Sequence, residues 1–264
     1  MLPKKLCNII AMIHTLPLPG SPLYRRSLDK IISQASKEAE IYCKHGVDCL
    51  MVENMHDRPY LHTKVSPETV SAMTRICLAI KSRIGSAIPM GIQVLSAANK
   101  EALAIAKCCE LQFIRAEGFV YSHVADEGWT DSCAASLLRY RQVIGAENIQ
   151  IYTDIKKKHA SHAVTHDLDI VEVAKGAEFF LSDGLILTGI STGQPASVEE
   201  FEKLRAYSNL PIFIGSGVNQ VNISLFEKAT GLIVGSHFKK DGVWYNEVDE
   251  GRVREFMKIA KTLD

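Results

Sequence analysis

An excess of either charge is the first thing this chain lacks: 30 Lys and Arg stand against 30 Asp and Glu. Such a balance gives no long-range pull toward nucleic acid or an anionic membrane surface, and neither is expected as a partner. No apolar stretch approaches the roughly 18–20 residues that a membrane span needs. The seven cysteines (Cys7, Cys43, Cys49, Cys77, Cys108, Cys109 and Cys133) are odd in number and include no CxxC pair. They read as reduced thiols of an intracellular protein that pack as small hydrophobes. An HExxH-like metal motif is absent too, as are low-complexity tracts and any sign of a second domain. The first apolar run begins within a few residues of the start, which leaves no room for a removable targeting segment. The expected location is the cytoplasm, or the mitochondrion if a presequence precedes this chain. What the chain does have is bulk. Its 264 residues, 47% of them hydrophobic, suffice for one large core, so residues 1–264 are expected to form a single domain.

Short apolar runs alternate with longer helical patterns. The runs begin at Asn8, Asp48, Pro89, Gln112, Ile149, Gly184, Pro211 and Gly231. Each is too continuously apolar for an exposed antiparallel edge and reads as a strand covered on both faces. Between them, Ser66-Pro67-Glu68 opens a helical pattern with proline at its first position. Asp167 precedes another, and Ser197 with Glu200 has the spacing of a capping box. Repeated strand-helix-strand units require parallel pairing and right-handed crossovers, and eight of them in this length predict a closed (β/α)8 TIM barrel. Two connections, residues 119–129 and 156–166, are longer than usual. They would follow strands four and five on the face where such barrels build their sites.

Strand ends are where chemistry is expected. Reading each run to its end yields His14, Glu53 with Asn54, Gln93, Arg115 with Glu117, Asp154 with Lys156, and Thr188 with Gly189. So polar a set must be paired, hydrogen-bonded or liganded. Arg115 interrupts an apolar run, so a carboxylate such as Glu53 or Glu117, or a bound anion, should face it. Glu53 and Asp154 are the candidate acid and base, with His14 a third catalytic member. The same three residues could instead surround a divalent metal, although no cofactor is expected. Lys158 and His159 follow two further lysines; the run reads either as a solvated face or as a cation and a titrating imidazole for an anionic substrate. Among the loop histidines, His123 is the one closest to a functional reading.

Three glycine-containing turns point to an anion. TGISTG (188–193), GSGV (215–218) and VGS (234–236) follow the last three runs, and glycines without Cβ let backbone N–H groups approach a phosphate. Thr188, Gly189, Gly215, Ser216, Gly217, Gly235 and Ser236 are the expected phosphate-binding residues, with a helix opened by Asn219 or Asn222 adding its positive end. Arg115, Lys158, His159, Asn54 and Gln93 would bind the rest of the substrate. The competing reading is that the glycines only permit tight turns.

Particular strings add a resemblance. IHTLPLPGSP (13–22), MVENMHDRPY (51–60), SPETVSAMT (66–74), the stretch 139–160, TGISTGQP (188–195), IGSGVNQVNI (214–223) and VGSHFKKDG (234–242) resemble the BtpA/SgcQ family over almost the whole chain. The resemblance implies a barrel of the ribulose-phosphate-binding type. It implies less about activity, since the family spans a photosystem I biogenesis role in cyanobacteria and a sugar-metabolism gene cluster in other bacteria. Where bacterial members read like GINVLRND this chain has GIQVLSAAN, and the loop 115–129 looks like that of animal members, in which no photosystem exists. The expectation is an enzyme, a lyase, isomerase or hydrolase, acting on a small phosphorylated metabolite such as a sugar or nucleoside phosphate. A non-catalytic assembly factor and a metal-dependent hydrolase are the alternatives, and self-association is left open.

Overall fold

The computed structural model describes residues 7–25, 27–85 and 88–263. All eight expected strands form. They are β1 (Asn8–His14), β2 (Cys49–Glu53), β3 (Met90–Gln93), β4 (Phe113–Ala116), β7 (Gln150–Ile155), β9 (Gly184–Leu187), β10 (Ile212–Ile214) and β11 (Gly231–Val234), all parallel and closed into one barrel in that order. Helices α1 (Leu28–Lys44), α2 (Pro67–Ile84), α3 (Asn99–Cys108), α4 (Ala134–Val143), α5 (Ile170–Phe179), α6 (Val198–Tyr207) and α7 (Glu250–Ala260) cover the outside.

Side-chain alternation along the strands divides the core in two. Ile9, Ala11, Ile13, Leu50 and Val52 point outward and pack under the helices. Ile10, Met12, Cys49, Met51, Phe113, Tyr152, Ile186, Phe213 and Ile233 point inward and plug the barrel. Tyr152 is the hub of that plug, its ring 5.2 Å from Phe113 and 4.5 Å from Phe213. Gly91 makes room for it, since a Cβ there would lie 2.3 Å from the Phe113 ring. Two residues further along each inward-facing row the strands end, and the same period of two places His14, Glu53, Gln93, Arg115, Asp154, Thr188, Gly215 and Gly235 in the layer above the plug. A polar mouth on an apolar floor follows from strand parity alone.

Helix starts carry their expected chemistry with one shift. Pro67 occupies the first turn of α2 behind Ser66, and the Ser197 side chain accepts from the Glu200 amide. The α5 cap, however, is Asp169 rather than Asp167, its side chain accepting from Glu172 N at 2.8 Å. Residues 163–165 form a separate 3-10 turn that uses up the chain before it. The helix expected near Asn219 and Asn222 is likewise reduced to one 3-10 turn, Ile223–Phe226. A turn that short has too few aligned peptides for the helix-end charge anticipated there.

The two long connections pair with each other. Residues 119–129 supply β5 (His123–Ala125) and the start of β6 (Gly128–Thr130), and the other loop supplies β8 (Ala160–Ser161); together they make an antiparallel sheet in the order β6-β5-β8. Neither loop is slack: the sheet fixes both beside the mouth.

Candidate functional site

Two charged pairs occupy adjacent strands at the mouth. Arg115 donates from Nε to both Asp154 carboxylate oxygens, at 3.2 and 3.1 Å, and from Nη2 to Oδ1 at 2.9 Å. Its partner is therefore Asp154, not the Glu53 or Glu117 that the sequence suggested. The cause is register: Arg115 lies opposite Tyr152, so the next inward residue on β7 comes level with the guanidinium. Burial works against the Arg115 charge, but Asp154 and Glu53 outweigh it and raise the guanidinium above its ordinary value. Burial also pushes the Asp154 carboxyl up, with Arg115 pulling against it.

The second pair is His14 and Glu53, directly opposite in the β1–β2 register, with Nε2 3.3 Å from Oε2. Burial resists the Glu53 charge, yet the His14 hydrogen bond and the nearby Lys158 and Arg115 charges win and hold its carboxyl at about 2. Glu53 is thus an anion throughout the neutral range. A ring proton donated from Nε2 leaves His14 Nδ1, which is buried without a partner, as the basic nitrogen.

Between these pairs and the glycine turns lies a cavity of about 190 Å3 lined by residues that include His14, Glu53, Arg115, Lys158, Gly215 and Ser236. Five strand ends thus meet in one place. Gly215 lies so near the Arg115 guanidinium that a Cβ would stand 3.3 Å from Nη2, and one at Gly235 would stand 3.1 Å from the His14 ring. The Gly215 amide is used within the barrel, donating to Leu187 O at 2.8 Å. Those of Ser216, Gly217, Gly235 and Ser236 have no acceptor among the described residues. Gly217 has φ +70 and sits against the backbone of Gln194 and Pro195, where a Cβ would meet Pro195 N at 2.2 Å. Its lack of a side chain is required by that packing as well as by any ligand.

Not every expected residue reaches this cavity. Thr188 stands in the layer above the plug but neither it nor Gly189 lines this cavity, and the Gly189 amide donates to Ser216 Oγ at 2.7 Å, which donates on to Gln194 O. Asn54 is engaged by Leu95 N and Asp57 and holds the loop after β2. Gln93 is buried with Oε1 unpartnered and does not line the cavity. His159 bonds Thr192 Oγ1 at 2.9 Å and lines a neighbouring compartment of about 410 Å3. The two compartments share Glu53, Met55, Lys158 and Thr192 as their common wall. His123 lies away from both, stacked on His162 at 5.3 Å. Among the described residues no group of three or more His, Cys, Asp and Glu side chains is placed to hold a metal.

Asn219 and, within TGISTG, Thr192 line the cavity from stretches the sequence did single out. Several other lining residues had no sequence signal: Met12, Met55 and His237 come from a floor position and from loops. Only the spacing of two from Met12 to His14 could have announced one of them. The charged cluster Glu117–Lys157–Glu127, with Nζ at 3.4 and 3.8 Å from the two carboxylates, also depends on the folding of a loop over a strand end.

Residues 5–262 match the family model described as the BtpA family. A Caenorhabditis elegans protein, named as uncharacterized and mitochondrial, is 51% identical over 97% of this chain and 93% of its own length. The photosystem I biogenesis protein BtpA of Synechocystis is 36% identical over 95% of this chain and 86% of its own. Among solved structures, KGPDC from Streptococcus mutans superposes with a TM-score of 0.60 at 10% identity, covering 98% of this chain and 99% of that one. Phosphoribosyl anthranilate isomerase from Thermus thermophilus gives 0.58 at 12% identity, covering 97% and 100%. At such identities the structural likeness establishes the fold and nothing further.

Proposed function

The chain belongs to the BtpA family, and from the site that its barrel builds we propose an enzyme acting on a small phosphorylated metabolite, a sugar or nucleoside phosphate. One observation carries the reading. Unused backbone N–H groups on two adjacent strand-end turns meet a buried Arg115 and a half-buried Lys158 across a cavity of about 190 Å3. Donors and cations converging on a cavity whose one lining carboxylate, Glu53, is already held by His14 suit a phosphate. Solved barrels of the same fold include a phosphoribosyl anthranilate isomerase holding a reduced deoxyribulose 5-phosphate compound and an orotidine 5'-monophosphate decarboxylase with the inhibitor BMP, which supports the substrate class by analogy only.

In this reading the substrate's phosphate sits on the turns after β10 and β11. Arg115 complements its charge, and Asp154 fixes Arg115. Glu53, kept ionised, orients the His14 ring, which lines the same cavity beside Gly235 and can take or return a proton at the reacting carbon. A second reading is favoured by the name of the Synechocystis relative: a barrel that serves assembly of a protein complex and whose bound metabolite only stabilises it. Of the two locations expected from the sequence, the name of the C. elegans relative favours the mitochondrion.

Thermal shift with inorganic phosphate, glycerol 3-phosphate and ribose 5-phosphate tests the site. Saturating ligand at a hundredfold excess over Kd should stabilise by about 2.7 kcal/mol, a rise in Tm of roughly 5–10 °C for a domain of this size. Ser236→Asp places a carboxylate in the anion site on a side chain that is free to move. It is preferable to a change at Gly217, where any Cβ strikes backbone. Loss of the shift in Ser236→Asp supports the site, and an equal shift in both proteins rejects it.

A further inference from the structure

Three consecutive lysines after β7 meet three different fates. Lys156, held at φ 52, turns away from the mouth and donates to Leu168 O at 2.7 Å. Lys157 is buried between Glu117 and Glu127. Lys158 enters the wall shared by the two compartments, and among the described residues it makes neither an ion pair nor a hydrogen bond. The chain is pinned to keep it there. His159, at φ 54, donates its amide to Ile190 O at 3.0 Å and bonds Thr192 through its ring, so the loop after β9 clamps the residue next to Lys158.

A paired lysine and an unpaired one, one residue apart, separate structure from chemistry. Lys157 has what a structural ammonium needs: burial pulls its value down, but Glu117 and Glu127 overcome this and raise it. For Lys158, burial and then the Arg115 charge lower the value, and the pull of Glu53 and Asp154 does not restore it. An ammonium kept without a partner in a cavity is poor design for stability and good design for an amine that must shed its proton.

We infer that Lys158 is a catalytic nucleophile, whose amine condenses with the carbonyl carbon of a phosphorylated aldehyde or ketone seated in the shared cavity. This rests on the phosphate reading above, because the turns after β10 and β11 would anchor the substrate. The Nζ lone pair forms a bond to the carbonyl carbon while the C=O π pair moves to oxygen, which takes up a proton. Nitrogen then gives up one proton, the hydroxyl takes up a second and leaves as water, and the nitrogen lone pair closes the C=N bond of an imine that keeps one N–H and a positive charge. No electron is gained or lost overall and no co-reactant is needed. His14, which lines the cavity and is oriented by Glu53 on the same wall as Lys158, is the group placed to carry these protons. The protonated imine draws electrons from the neighbouring carbon, which makes proton removal or carbon–carbon cleavage there the reaction class to expect.

Borohydride trapping decides it. The protein is incubated with dihydroxyacetone phosphate, and separately with D-ribulose 5-phosphate, and reduced with sodium borohydride. Intact mass and peptide mapping then locate the adduct. One reduced adduct on Lys158 with either probe, suppressed by excess inorganic phosphate, is the expected result. Lys158→Arg should lose the adduct while keeping the thermal shift with inorganic phosphate. No adduct on Lys158 with either probe, although inorganic phosphate raises the Tm, overturns the imine and leaves a plain countercharge. Adduct spread over surface lysines in proportion to exposure overturns it too. Absence of any shift with phosphate would reject the anion site itself, and the imine with it. The mapping is done on wild-type protein, so the result does not depend on how well the variant folds.

Discussion

The two halves of the barrel mouth are built on opposite principles. Strands β10 and β11 end in backbone: Ser216, Gly217, Gly235 and Ser236 contribute unused N–H groups. Strands β1, β2, β4 and β7 end in charge, and each charge is matched by its neighbour, His14 by Glu53 and Arg115 by Asp154. One half works by the absence of atoms and the other by their pairing. The two should therefore fail differently. A substitution in the glycine half should act by steric intrusion, and one in the charged half by stranding a buried partner.

The largest effect is expected from Arg115→Ala. Asp154 would be left buried and unpaired, and breaking such a pair costs about 3–5 kcal/mol. The Tm should fall by roughly 2–4 °C per kcal/mol. Replacing both partners by apolar residues, Arg115→Met with Asp154→Leu, should recover most of the stability and none of the phosphate binding. If the single variant melts like wild type, the pair does not hold the mouth together. Gly217→Ala comes next, at about 2–4 kcal/mol, because it combines a left-handed backbone with a Cβ in the path of Gln194 and Pro195. Denaturant unfolding measures it. A cost well under about 1 kcal/mol would mean that the loop 194–195 yields freely and that the glycine half is softer than its packing implies.

Acid separates the halves next. Glu53 has its ordinary value of 4.5 when unfolded and about 2 when folded. A depressed carboxylate contributes stability that is complete above 4.5 and is lost as pH falls toward 2; the loss should be roughly 2–3 kcal/mol from this group. Other carboxylates titrate in the same range, so the comparison is wild type against Glu53→Gln, whose unfolding free energy should fall less steeply across that window. Parallel curves would show that His14 does not hold Glu53 ionised.

Much of this was legible in the sequence, and what was not has a common cause. Eight apolar runs gave the eight strands, and counting by two from Met12, Met51, Phe113 and Tyr152 reaches His14, Glu53, Arg115 and Asp154. Pattern within a segment is enough for that. Which charge meets which is set by register between segments, and so Arg115 went to Asp154. For the run of three lysines the sequence left a solvated face and a substrate cation both open, because composition carries no direction; the positive φ values of Lys156 and His159 send the side chains apart. Asn54 and Gly189 sit at strand ends like the others, but their polar groups are consumed by Leu95 and Ser216, partners from other loops.

The smallest effect on stability, and the sharpest on the comparison, belongs to Gly235→Ala. A methyl group there would stand 3.1 Å from Cε1 and 3.3 Å from Nε2 of His14, against side chain rather than backbone, so the ring can give by a few tenths of an ångström. The expected cost is under about 1 kcal/mol. Because Gly235 is where the glycine half touches His14, as Gly215 touches Arg115, the methyl should intrude on the anion space and move the His14 ring off Glu53 together. Phosphate titrations followed by thermal shift should show weakened binding with an almost unchanged Tm in the absence of ligand. Phosphate binding equal to wild type would place the anion on the β10 turn alone, and the two halves would then share less of the site than their contact at Gly235 implies.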